Sequence, residues 1–134
     1  MGINWSATAL ALAVGMVVAG VWYGKAFSAL WAALTGIDPA DSKRASRRNM
    51  VQLLIANGLS AVGLAFGIAI AAEAAGDDSV WLALVVGFAA WSTLSASTLL
   101  QHNAFELKPA KLTVLNTAYQ LVLFLAMALV IGLF

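Results

Sequence analysis

The stretch Gly20–Phe27, GVWYGKAF, ends the first apolar run of the chain and carries its first charge, Lys25. The run ahead of that lysine is long enough to cross a hydrocarbon core of about 30 Å as a helix rising about 1.5 Å per residue. Three further charge-poor runs follow, and together they give spans of about 4–24, 50–73, 80–101 and 112–134. A helix in a water-soluble bundle keeps a polar face at a 3.6-residue period, whereas these runs are apolar nearly all round. The expectation is an all-α protein, an integral membrane four-helix bundle, forming a single membrane domain over residues 1–134 with a cytoplasmic basic connection over 25–49. A cleaved signal sequence carries positive charge ahead of its apolar core. Here every early charge comes after it, so the first run is read as the first span.

Composition points the same way. The chain is 63% hydrophobic and 10% charged, with mean hydropathy +0.93, a balance foreign to soluble domains. A net charge of +1 with clustered basic residues argues against a nucleic-acid partner and leaves the lipid bilayer as the first one. There is no cysteine, which excludes disulfides, thiol chemistry and Cys-based metal sites.

Lys25, Lys43, Arg44, Arg47 and Arg48 lie between the first two spans, Lys108 and Lys111 between the last two, and no other Lys or Arg occurs. The positive-inside rule makes both connections cytoplasmic. The acidic turn Gly76–Ser79 and both termini then fall on the non-cytoplasmic side, and the expected location is a bacterial cytoplasmic membrane.

The opening stretch fits an inner interface. Trp22 and Tyr23 are amphipathic rings suited to headgroup depth and Lys25 can snorkel outward, with Trp5, Trp31 and Trp81 as further interface anchors. Past Lys25, Phe27, Leu30, Trp31 and Leu34 hold an i, i+3, i+4, i+7 stripe that must lie on the bilayer surface or pack on a neighbour. Gly36 suits a C-cap, and Asp38-Pro39 suits an N-cap followed by proline at the first helical position. The second helix is therefore expected to begin there, well before its apolar part.

Small residues recur at four-residue spacing and let helices approach closely in lipid. Ala7, Ala11, Gly15 and Ala19 form one row, Gly20 and Gly24 a second, and Ala56, Ser60, Gly63 and Gly67 a third. They are read as helix contacts within or between subunits. Leucine at Gly63 or Gly67 is expected to disturb the bundle more than leucine at Gly132.

Trp22-Tyr23-Gly24, Phe27, and Trp31 nine residues after the first Trp resemble the end of the first helix in the domain of unknown function 1761 family, small four-helix bacterial membrane proteins. Asn103, Phe105 and Glu106, then Lys111, Asn116 ten residues after the glutamate, Tyr119, Leu121 and Val122 follow that family's order and spacing. Departures are Lys25 where the family often has proline, Ser28-Ala29 in place of Gly-Lys, and His102 in place of asparagine. The resemblance implies an architecture but no activity.

Chemistry in such a chain should lie where polar groups enter the membrane. The third span carries Ser95, Thr98, His102 and Asn103, with Glu106 beyond it, and the fourth carries Asn116, Tyr119 and Gln120. At 100° per residue Trp91, Ser95, Thr98 and His102 share a face. One reading is a polar cytoplasm-facing cavity; the other, favoured here, is interhelical hydrogen bonding with hydroxyls returning bonds to their own helix. The single histidine has no paired ligand, so no metal or cofactor is expected. No nucleophile, base and carboxylate set appears, and no catalytic residue is assigned. Two functions remain: a structural or interaction subunit that self-associates or joins other membrane proteins, and, as the alternative, a small-solute or proton transporter or channel.

Overall fold

The computed structural model describes residues 2–134. In chain order its helices are α1 (Trp5–Ala26), α2 (Ser28–Thr35), α3 (Pro39–Arg44), α4 (Ser46–Ala75), α5 (Val80–Phe105) and α6 (Ala110–Leu133). Four of them, α1, α4, α5 and α6, are long and apolar enough to cross a membrane.

Local chemistry sets the ends. Asn4 Oδ1 accepts from the Ala7 amide, Asp38 Oδ1 from the Ala40 amide and Ser79 Oγ from the Leu82 amide, each satisfying a first-turn donor that the helix cannot. Gly36 and Gly76 terminate α2 and α4 with φ of 69° and 63°, in the left-handed region. The second long helix departs from expectation in one respect. It does not run on from Pro39; the chain breaks at Ala45, separating α3 from α4. A continuous helix would stack Lys43 on Arg47 and Arg44 on Arg48, like charges at i, i+4, which the break relieves.

The long helices alternate in direction, and α6 lies against both α1 and α5. Its core face, Tyr119, Leu123, Met127 and Ala128, is buried against Ala11, Ala19, Leu64 and Ala83 from the other three. The backbones of α5 and α6 approach closely. A Cβ on Gly87 would lie 2.8 Å from Ala128 Cβ and 3.2 Å from the Phe124 carbonyl oxygen, and one on Gly132 would lie 2.8 Å from Ala83 Cβ. Ala83 and Gly87 thus pair antiparallel with Gly132 and Ala128, two small residues four apart on each helix.

This arrangement corrects the expectation that Gly132 is the more tolerant position. Gly132 is in tight contact, whereas a Cβ at Gly20, Gly24 or Gly63 meets nothing within 4 Å and one at Gly67 meets only Val86, at 3.4 Å. Of the rows read from sequence, Ala7, Ala11, Gly15 and Ala19 are buried within the chain, Gly15 beneath Leu123 and Met127. Gly20 and Gly24 on α1 face outward, and so does Gly63, because the inward side of α4 is set by Ala61, Leu64, Ala65 and Ile68 instead.

Two π-type turns interrupt the long helices, over Trp22–Ala26 at the end of α1 and over Trp91–Ala96 within α5. Each inserts about one residue into a turn and so rotates the following faces by roughly 100°. Both begin at a tryptophan that faces α6.

Candidate functional site: a polar layer at the two tryptophan turns

The turn at Trp22 directs two aromatic side chains into the bundle. Tyr23 donates its phenolic hydrogen to Asn116 Oδ1 at 2.6 Å. Its ring meets Tyr119 edge-on at 4.8 Å and Trp31 at 6.3 Å, while Trp22 lies 4.6 Å from Phe27 and 6.2 Å from Tyr119 between ring centroids. Trp22 and Tyr23 are therefore half-buried and tied into the bundle. Trp5 and Trp81 do project outward, Trp5 with its ring edge-on to Phe66. Past the turn, α2 folds back and packs on α6.

At the neighbouring depth Trp91 Nε1 donates to the Thr117 carbonyl at 2.8 Å, and Asn57 on α4, itself buried, donates to Met16 Sδ at 3.4 Å. Tyr119 Oη and Trp22 Nε1 are buried in the same layer with no well-formed hydrogen bond, the Asn57 amide being the polar group beside the Tyr119 hydroxyl. The layer thus ties α1 and α5 to α6 by directed bonds. Such bonds matter in hydrocarbon, where water offers no alternative partner.

The polar residues singled out from sequence separate into three places. Asn116 and Tyr119 belong to this layer. Asn103 is buried at the end of α5 and donates from Nδ2 to Thr113 Oγ1 at 3.0 Å, closing α5 onto α6, while His102 is exposed and Glu106 pairs with Lys108 in the connecting turn at 3.5 Å. Ser95, Thr98 and Gln120 line a lateral cleft of about 310 Å³ with Ser60 and Leu94. The cleft arises because α4 packs on the Val80–Ala90 part of α5, whereas beyond Trp91 α5 follows α6. The shared face of Trp91 with Thr98 and His102 does not form, since the π-type turn between them turns Trp91 inward and leaves the other two exposed.

Four hydroxyls on α5 behave as helix-satisfied groups, whereas that of Ser95 makes no hydrogen bond among the described residues. Ser92 and Thr93 both donate to the Ala89 carbonyl, Ser97 to that of Thr93 and Thr98 to that of Leu94. These bonds flank the π-type turn, where backbone carbonyls lose their regular i+4 partners. Gln120 differs: among the described residues its amide makes no hydrogen bond.

Residues at both ends of the chain converge here. Trp22, Tyr23, Phe27 and Trp31 meet Asn116 and Tyr119, and a family profile described as "Protein of unknown function (DUF1761)" matches residues 6–132, nearly the whole chain. The chain belongs to the DUF1761 family. No curated protein and no solved structure matches it. Of the residues that carry the DUF1761 resemblance, Trp22, Tyr23, Phe27, Trp31, Asn116 and Tyr119 thus form one three-dimensional contact, joining the end of α1 and α2 to α6, whereas Asn103 and Phe105 lie outside it. Sequence reading missed the inward role of Trp22, Tyr23 and Trp91 because apolar periodicity assumes unbroken 3.6-residue turns. It also missed Ala83, Gly87, Ala128 and Gly132, although each pair has the same four-residue spacing as the rows that were read.

Proposed function

We propose that this DUF1761 protein is a non-catalytic structural or interaction subunit of the bacterial cytoplasmic membrane. It packs with a second copy or with other membrane proteins through the side that carries the α4–α5 cleft. The observation supporting this reading is Gln120, whose unpaired amide lines a cleft between hydrophobic helices beside Ser60 and Ser95. An amide left without partners in hydrocarbon costs several kcal/mol, on the order of 2–7, and a polar group on a neighbouring helix removes that cost. Gly63, exposed on the same helix as Ser60, lets such a neighbour come close.

The orientation that accompanies this reading has both termini on the non-cytoplasmic side. It is supported by the gathering of all seven Lys and Arg residues at the end of the bundle where α1 and α5 finish and α4 and α6 begin. The same cleft favours a second reading, a small-solute or proton pathway, through its hydroxyl and amide lining.

Cross-linking separates these. A single cysteine at Leu94, on the cleft, should give one discrete adduct with a bis-maleimide in native membranes, and a cysteine at Val114, exposed on the other side of α6, should not. Absence of an adduct at Leu94, or equal adducts at both, would overturn packing with a second copy through the cleft. Flux above that of empty vesicles by the purified protein would promote the pathway.

A further inference from the structure

A groove of about 460 Å³ lies where the Trp22 turn and α2 approach the first two turns of α6, on the side away from the α4–α5 cleft. Trp22, Phe27 and Leu30 form one wall; Val114 and Ala118 belong to the other, and Lys111 stands at its α6-terminal end. Its surface is almost wholly carbon, apart from that lysine.

We propose that this groove binds one acyl chain of an anionic membrane phospholipid, with the headgroup phosphate on Lys111. Three features carry the assignment. An acyl chain needs no hydrogen bonds, and the wall supplies none, whereas a non-helical polypeptide segment would bring backbone groups that hydrocarbon leaves unsatisfied. Lys111 has no acidic partner among the described residues and sits at the start of an apolar span, which is headgroup depth. From Lys111 to Ala118 the groove follows α6 for about 10 Å at the helical rise, down from the headgroup zone into the chain region. The wall formed by Phe27 and Leu30 distinguishes it from the open lipid-facing surface of a single helix. It exists because α2 turns back against α6 after the π-type turn and leaves Leu30 exposed above the groove. This site is independent of the cleft between α4 and α5, and the result below does not bear on that reading.

The test is native mass spectrometry of the full chain in mild detergent, titrated with phosphatidylglycerol and with phosphatidylcholine of the same chain length. Wild type should retain phosphatidylglycerol about fivefold more strongly, the worth of one lysine near an anionic surface. Lys111→Glu should lose that preference, and Lys111→Gln should lose it as well without reversing the charge, so that a poorly folded Glu variant does not leave the question open. Lys43→Glu, on α3 outside the groove, should keep it. Ala118→Trp, filling the groove, should lower retention of both lipids. Equal retention of the two lipids by wild type, or a preference that survives in Lys111→Gln, would overturn the assignment.

Discussion

Tyr23 and Asn116, 93 positions apart, are joined by a hydrogen bond of 2.6 Å from the phenol to the amide oxygen. The bond holds the π-type end of α1 against α6, and the Tyr23 ring then fills the space beside Tyr119. An amide facing lipid would be costly, so Asn116 is tolerated in an apolar helix because Tyr23 reaches it. Sequence, turn geometry and packing are linked at this contact: without the extra residue of the Trp22–Ala26 turn, Tyr23 would point elsewhere.

The two tyrosines should therefore respond oppositely to loss of the hydroxyl. Tyr23→Phe removes an interhelical bond and strands the Asn116 oxygen, and is expected to cost about 0.6–1.7 kcal/mol, seen as a lower melting temperature in detergent. Tyr119→Phe keeps the ring and deletes a buried hydroxyl that lacks a well-formed bond, so melting should stay the same or rise. A larger loss in Tyr119→Phe than in Tyr23→Phe would contradict this account of the layer.

Close packing yields a second expectation, opposite to the one from sequence. Leucine at Gly87 or Gly132 must push apart α5 and α6, since a Cβ alone would lie 2.8 Å from Ala128 or Ala83. Overpacking of this kind costs on the order of 1–3 kcal/mol. Leucine at Gly63, where a Cβ meets nothing within 4 Å, should leave the melting of the isolated chain unchanged. Circular dichroism melts of the three variants in detergent check the order.

Much of the architecture was legible. Hydropathy marked the four long helices, because crossing a hydrocarbon layer imposes a minimum length and nearly uniform apolarity that few other structures need. Asp38-Pro39 and Gly36 announced their caps through chemistry confined to a few neighbouring residues. The candidate site was less legible. A π-type turn has no strong local signature, so the inward turn of Trp22, Tyr23 and Trp91 was hidden. The glycine contacts were misplaced because a four-residue repeat shows that a helix has a small face without naming the helix that covers it. Ala83 and Gly87 find Ala128 and Gly132 only through the antiparallel register of α5 and α6.

The proposed orientation is open to a direct check in a chain with no native cysteine. Cysteine at Lys43, on α3, and cysteine at Asp78, in the turn between α4 and α5, lie at opposite ends of the bundle. A membrane-impermeant maleimide added to intact cells should label the Asp78 position and spare Lys43 until the membrane is opened. The reverse pattern would invert the topology, and labelling of both would remove the four-span arrangement.

Asn116 and Gln120 lie one turn apart on α6, yet they should report on different things. Asn116 is bonded within the chain, so Asn116→Leu breaks the tie to Tyr23 and should lower the melting temperature of the protein whether or not it is associated. Gln120 makes no bond among the described residues, and Gln120→Leu should leave the melting of the dispersed chain unchanged while reducing its association, as read by cross-linking yield in native membranes. If the cleft conducts instead, wild type in proteoliposomes should show flux above the empty-vesicle level and Gln120→Leu should abolish it with the fold intact. The expected outcome is vesicle-level flux for wild type and both variants, because no charged residue lines the cleft among those described and the Thr98 hydroxyl beside Gln120 is spent on the Leu94 carbonyl. A Gln120→Leu chain that associates as well as wild type would remove the amide as the basis for partner packing.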